Sequence, residues 1–382
     1  MELPINYSIR CRLCRETIGD VRKLFFDHAP SGAQLFGATS LEAKDLSLKL
    51  TIVECNHCGL VQSESPTVPY YRNAISAAGV SPSMIAHRQS QAHQMAALVD
   101  QHKVKLALVG CGSGYELPIL AEAGFDPVGI EWGGAPVGYT GLYPIINAYP
   151  SETELPNGTF GAFACFNFLE HAPEPREFLR AIRAWLTPEA LGLIEVPNHA
   201  KQRRDGRVAA YVADHLSYFD KRTLNTILGV CGFEVLNIRE VREGENLEVL
   251  LKPMPSVKLG DEQVLLSSAL KIIADFFLSS KKAGLHTLVW GASHEALTIL
   301  CGISNEILPT AIIDSAPFKQ GLFAPVTGIP IIAPSRDAFS GVGSVLIIAP
   351  GFESEIKQTL RNQYEFIGEI WTAHPQGVKK LG

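Results

Sequence analysis

The sequence predicts an α/β protein in which a small N-terminal metal-held module precedes two doubly wound, Rossmann-like units. Three observations carry that expectation. Two cysteine pairs at identical spacing, Cys11-Arg-Leu-Cys14 and Cys55-Asn-His-Cys58, supply four thiolates that can close a tetrahedron around one zinc ion. A run of strand, glycine loop, helix, strand and acid begins at Lys105 and ends at Glu131. After Pro253 to Pro255 the composition resets into a second alternation of apolar strands and helices.

The cysteine pairs come first in the chain. The second continues into Gly59, whose freedom lets the backbone turn so that amide N–H groups face the coordinated sulfurs. A redox C-x-x-C or a pair of disulfides is the competing reading, but neither explains why the two pairs match. His57 lies inside a knuckle as a bystander, although it can stand in for a cysteine. Turn residues and weak periodicity in FDHAPSGAQLF, between the pairs, suit a module held by metal more than by a core. The remaining Cys111, Cys165, Cys231 and Cys301 sit singly and read as buried free thiols of a reducing compartment.

The 382 residues are enough for two or three domains, and 46% hydrophobic with 19% charged content indicates well-filled cores. The N-terminal MELPINYSIR has no apolar secretion core and no run of about 18 apolar residues stands out, so a cytoplasmic home without a membrane partner is expected. A formal net charge of −6 argues against nucleic acid as a partner. The basic cluster Lys201, Arg203, Arg204 and Arg207 is broken by Asp205 and Gly206 and reads as a solvated loop.

Along the chain, apolar residues at helical spacing predict an amphipathic helix from Ser83 to His102. Lys105 to Val109 reads as a strand, Gly110-Cys-Gly112-Ser-Gly114 as a tight turn, Tyr115 to Ala123 as a helix stopped at Gly124, and PVGIE as the next strand. A strand at Ala162 to Phe166 follows. Then come a helix with Phe178, Leu179, Ile182, Trp185 and Leu186 on one face, and the strand LGLIEV. The second unit opens with a helix from about Asp261 to Ser280, followed by the strands HTLVWG, AIID ending at Asp314, and SVLIIA. The expected parts are a zinc-binding module over 1–68, a central domain over 69–254 and a C-terminal α/β domain over 255–382.

Candidate chemistry clusters in the central part. Gly110, Gly112 and Gly114 after a first strand let a ligand approach the backbone, and Glu131 at the end of the second can accept hydrogen bonds from both ribose hydroxyls of a nucleoside. The loop is G-x-G-x-G, not the dinucleotide G-x-G-x-x-G, which favours S-adenosylmethionine over a nicotinamide cofactor. Asn167-Phe-Leu-Glu170-His171 directly follows a strand, where open α/β sheets place ligand contacts, so Asn167 and His171 can point into one crevice while Glu170 is expected to face solvent. In Tyr211-Val-Ala-Asp214-His215-Leu-Ser-Tyr218-Phe219, His215 is the best candidate general base, with Asp214 either raising its basicity or orienting the loop.

The C-x-x-C pairs, the G-x-G-x-G core, N-x-x-x-H, E-V-P at Glu195 to Pro197, the D-H-L-S-Y-F run and D-x-x-x-x-K-Q-G at Asp314 to Gly321 together resemble the three-domain sugar C-methyltransferases of antibiotic deoxysugar pathways. The resemblance covers nearly the whole chain. It implies a structural zinc at Cys11, Cys14, Cys55 and Cys58, a class I S-adenosylmethionine-binding core, and a Rossmann-like C-terminal domain that helps enclose a nucleotide-linked keto-sugar. It also implies that Tyr71 and Ser83, in segments similar to the family's cofactor-lining Tyr and Ser, contact S-adenosylmethionine. His215 would be the base that forms an enolate, supported by Asp214, with His171 and Asn167 holding substrate and oxyanion. Four departures gather around the acceptor or the cofactor loop: Val212 where the family has a sugar-contacting Tyr; Glu243-Gly-Glu245-Asn246 for H-G-G-S, adding negative charge near the pocket; Pro325 to Pro330 without the family's His; and Leu108 for an acid.

In the C-terminal unit, the single turn glycine Gly291 is too little for a second dinucleotide, and Lys319 or Gln320 can contact the acceptor. Rival readings are O- or N-methyl transfer, a non-catalytic zinc-ribbon protein that binds a nucleotide or partner, and an NAD-dependent sugar reductase. The identity of the acceptor and the oligomeric state are not written in the sequence.

Overall fold

The structure is a computed structural model that describes residues 9–19, 21–73, 80–99, 103–136, 139, 141–255, 259–374 and 377–381. Most of the N-terminal stretch read for a secretion signal lies outside these residues, as do the last positions of the helix expected up to His102. The chain forms two compact units, Met1–Pro255 and Ser256–Gly382.

The first unit contains two sheets. Strands β1 (Lys23–Pro30), β2 (Ser47–Glu54) and β3 (Val61–Ser63), with helix α1 (Ser40–Asp45) between the first two, build an antiparallel sheet beside the cysteine pairs. Helix α2 (Pro82–Ala96) leads on, started by Pro at its first position and by the Ser81 side chain capping Met84 N. The main sheet then alternates through β4 (Lys105–Val109), α3 (Glu116–Glu122), β5 (Asp126–Glu131), β6 (Ile145–Asn147), β7 (Phe160–Phe166), α4 (Pro175–Trp185) and β8 (Leu186–Pro197). Helix α5 (His199–Arg204), strand β9 (Ser217–Tyr218), helix α6 (Lys221–Val230) and the antiparallel strands β10 (Phe233–Val241) and β11 (Asn246–Pro253) complete it.

The seven strands run in the order β10-β11-β8-β7-β4-β5-β6, parallel from β8 to β6, with β11 antiparallel to β8. Chain order reverses between β4 and β7, which makes a crevice at their carboxyl ends. The parallel strands are buried on both faces, which is why they read as continuous apolar runs. Helix α4 buries Phe178, Leu179, Ile182 and Trp185 against this sheet, while Leu186 leaves the helix and starts β8. The short strand β9 belongs elsewhere: it pairs with β3 as the fourth strand of the N-terminal sheet.

The second unit begins with α7 (Leu259–Lys282), which buries Ile273, Phe277 and Ser280. Its sheet, in the order β14-β13-β12-β15-β16-β17, consists of β12 (Thr287–Trp290), β13 (Ile312–Ile313), β14 (Ile331–Ile332), β15 (Ser344–Ile347), β16 (Glu369–His374) and β17 (Gly377–Lys380), with α8 (His294–Cys301) and α9 (Glu353–Asn362) as connections. All its pairs are parallel except β16 with β17. By length and composition α7 is apolar enough to cross a membrane, a property the sequence reading passed over. Cys301 is exposed, unlike the buried Cys111, Cys165 and Cys231, so the expectation of four buried single thiols holds for three.

Candidate active site

At the crevice, the backbone after β4 folds back on β5: Gly110 N and Cys111 N both donate to Ile130 O, at 2.9 and 3.3 Å. Gly110 has φ 70, and a Cβ there would lie 2.7 Å from the Phe168 ring, so only glycine fits. Glu131, 5% exposed, accepts Gly112 N at 2.8 Å through Oε2. The acid at the second strand's end therefore shapes the glycine loop as well as facing the place a ribose would take.

On the other side of the switch point, Asn167 follows β7 with φ 49, a conformation asparagine tolerates, and its N–H donates to Glu195 O at 2.7 Å. A single 3₁₀ turn, Leu169–His171, then buries Glu170 and His171. This overturns the expectation that Glu170 faces solvent, because Leu216 N donates to the Glu170 carbonyl at 2.8 Å and pins the turn beneath the 212–216 segment. His171 Nδ1 sits 2.9 Å from the Asp214 carbonyl. A carbonyl only accepts, so Nδ1 carries the proton of the neutral ring and Nε2 is left as an acceptor. The His171 and His215 rings meet edge to face with centroids 4.8 Å apart. Burial lowers the pKa of His171; burial, with His171 as neighbour, pushes that of His215 down to about 3.

Asp214 is 2% exposed, and its Oδ1 accepts Ala33 N at 2.6 Å, tying the segment to the N-terminal sheet region. Of the two roles open to Asp214, this geometry favours orienting the loop. Its backbone carbonyl fixes His171, and its carboxylate anchors the chain.

A cavity of about 490 Å³ opens over these groups, lined among others by Gly110, Gly112, Asn167, Glu170, His171, Val212 and His215. Arg88 and Glu116 line it although no motif marks them, and Glu170 lines it against the expectation that it faces solvent. Arg88 projects from α2 at 4% exposure, stacks 3.9 Å over Phe166 and bonds Glu195 Oε2 at 2.6 Å, while its Nε makes no hydrogen bond and lies 3.9 Å from Glu116 Oε1. Glu195 also takes hydrogen bonds from His87 at 2.9 Å, Gln91 at 2.7 Å and Asn246 at 2.7 Å. Burial alone would raise its pKa, but His87 and Arg88 hold it at about 2. Glu116 is pushed upward by burial. The signal for Arg88 was present: a lone arginine among the apolar positions of an otherwise amphipathic helix.

Several expected contacts lie elsewhere. The Tyr71 hydroxyl donates to Glu152 Oε1 at 2.9 Å, and Ser83 pairs with Ser81 Oγ at 3.0 Å; of these, Ser81 lines the cavity, and Tyr71 and Ser83 do not. Gly114, with φ 75, closes the loop behind Gly112. Glu245 is engaged by Arg207 and Lys201, so the segment that was expected to add negative charge presents Arg242 to the cavity instead. In the second unit Lys319 Nζ bonds Asp314 Oδ2 at 2.9 Å and Ala292 O at 3.0 Å, and Gln320 donates to Asp314 O at 3.0 Å, so both lock the turn after β12.

The four cysteines converge. Their sulfurs lie within 4.8 Å of one another, with Cys11 to Cys58 at 3.4 Å and Cys14 to Cys55 at 3.7 Å. Zinc bonds of about 2.3 Å place tetrahedral sulfurs about 3.8 Å apart, so the set fits that ion. The knuckles match in detail. Arg15 N bonds Cys11 O at 3.0 Å and Gly59 N bonds Cys55 O at 2.8 Å, each from a residue with positive φ, 70 and 73. Arg15 is held there by Glu174 and Glu177 at the start of α4.

Residues 109–238 match the profile of a methyltransferase domain, and residues 267–375 that of a C-methyltransferase C-terminal domain. The chain is 23% identical to the C-methyltransferase NovU of Streptomyces niveus, over 94% of this chain and 95% of that protein. It is 30% identical over 94 residues to a ubiquinone biosynthesis O-methyltransferase of Pseudomonas aeruginosa, covering 22% of this chain and 40% of that one. A solved S-adenosylmethionine-dependent methyltransferase from Aquifex aeolicus aligns with a TM-score of 0.36 and 17% identity, over 46% of this chain and 100% of that one. The matched stretch 109–238 takes in both walls of the switch-point crevice, and the chain is an S-adenosylmethionine-dependent methyltransferase.

Proposed function

We propose that this enzyme methylates carbon, beside the ketone of a nucleotide-linked keto-sugar or a related polar metabolite. The observation that carries the reading is one cavity wall on which Asn167, His171 and His215 meet beside the glycine loop. A ketone acidifies the neighbouring C–H. Neutral His215 takes that proton, the C–H electrons form an enolate, and its carbon attacks the sulfonium methyl in line while the S–CH₃ electrons return to sulfur. Asn167 contributes an amide to the acceptor's oxygen, and His171 Nε2 accepts a hydrogen bond from a substrate hydroxyl. Cys11, Cys14, Cys55 and Cys58 hold a structural zinc with no open position.

O-methyl transfer is the second reading. It is favoured by Val212 on the cavity wall, where a sugar-contacting tyrosine is absent, and by the local similarity to O-methyltransferases.

Mass spectrometry after incubation with S-adenosylmethionine and a panel of nucleoside-diphosphate keto-sugars tests the proposal, with a methyl at carbon as the expected product. His215→Ala is expected to abolish turnover while S-adenosylhomocysteine still binds. Full turnover in that variant refutes the base.

A further inference from the structure

We infer that Glu170 is a neutral carboxylic acid whose Oε2–H donates a hydrogen bond to the acceptor oxygen on which negative charge develops. The inference rests on the enolate reading above and adds a second donor beside the Asn167 amide. His171 cannot fill the role, because its one ring proton faces the Asp214 carbonyl and Nε2 can only accept.

The geometry singles Glu170 out. It is 2% exposed, it lines the cavity, and its carboxyl lies within 4.8 Å of the ring nitrogens of His171 and His215. Donors that reach the carboxyl come from its own backbone and the Asn167 amide, yet Oε2 has no partner. A bare, ionised oxygen in that position carries a desolvation cost of several kcal/mol. A protonated one is instead an unused donor on a residue that lines the cavity. Its backbone N–H and the Asn167 amide favour the charged form, but no cation among these neighbours does: Glu195 is a carboxylate, the Cys165 thiol is buried and neutral, and both histidines are neutral rings. Burial pushes the Glu170 pKa up to about 8, with Glu195 adding to it, so the acid form dominates at neutral pH. Keeping a buried acid neutral so that it can donate to an oxyanion is an established catalytic device.

Two arms test it. Infrared difference spectra of wild type and Glu170→Gln, recorded without acceptor, are expected to show a protonated-carboxyl C=O band at pH 7 that is lost in the variant; its absence from wild type overturns the inference whatever the acceptor proves to be. With a nucleoside-diphosphate 4-keto sugar, Glu170→Leu is expected to lower kcat about 10²–10³-fold, the loss typical of one oxyanion donor, with S-adenosylhomocysteine affinity unchanged. Glu170→Gln keeps an N–H donor at that place and is expected to retain kcat within about tenfold, and to lose the wild type's fall in kcat above about pH 8. A Gln variant as inactive as the Leu variant, or turnover that depends on an added divalent cation held by Glu170, His171 and His215, overturns the donor role. Methylation at oxygen by wild type would refute the enolate reading and leave the infrared result standing.

Discussion

Glu131 does two things with one carboxylate. It accepts Gly112 N and so shapes the glycine loop, and it ends the second strand, the position from which acids in such folds bind ribose hydroxyls. Hydrogen bonds to a charged acceptor contribute about 1.5–3 kcal/mol each. Glu131→Ala is therefore expected to weaken S-adenosylhomocysteine binding at least tenfold, read by titration calorimetry; an unchanged dissociation constant would remove Glu131 from the cofactor site. This residue was legible because its type and its distance from Gly110 make a pattern. Glu170 was not. Whether a carboxylate next to a histidine faces water or core depends on Leu216, 46 positions on, bonding its carbonyl. No local pattern encodes that.

At the scale of elements, the cysteine module and the catalytic segment are one construction. Arg12 Nη1 donates to Ser63 O at 2.6 Å and to Leu216 O at 3.3 Å, Ser63 N donates to Leu216 O at 3.1 Å, and β9 extends the N-terminal sheet. The four-cysteine cluster thus lies at one end of a chain of hydrogen bonds whose other end is the residue next to His215. Cys55→Ser is expected to release the zinc, lower the melting temperature and reduce kcat together, because the 212–218 segment loses its neighbour. Full turnover in metal-free protein would show the segment to be held from the core alone. The knuckles were legible from spacing. The sheet that joins them was not, since β1 is exposed along most of its length and lacks the alternation that marks a strand with one buried face.

Across the whole molecule, buried titratable groups set opposite demands on pH. The parallel strands of both units were legible as apolar runs, but the burial of particular polar groups was not: His199 at 4% exposure, His171 at 7%, Glu170 at 2%. Burial lowers the His171 pKa and pushes His199 to about 4 and His215 to about 3, below the ordinary 6.5. Between those values the unfolded chain binds protons that the native state refuses, so stability is full above pH 6.5 and is lost as pH falls toward 4 and 3. Each such group contributes up to about 1.4 kcal/mol per pH unit within its window. Glu170 acts in the opposite sense. Its pKa is raised from 4.5 to about 8, so its contribution is full below 4.5 and is lost as pH rises through 8. Between pH 5 and 6.5 the three histidines outweigh the one acid, and above 6.5 only the acid still titrates among these four. Calorimetry is therefore expected to find a melting temperature that rises from pH 5 to 6.5 and declines slowly toward pH 9. Glu170→Gln should remove its share of that decline and steepen the rise between pH 5 and 6.5. A flat profile from pH 5 to 6.5 would mean that the histidines reach water in solution, and with it that the wall carrying His215 is wetter than a desolvated base requires.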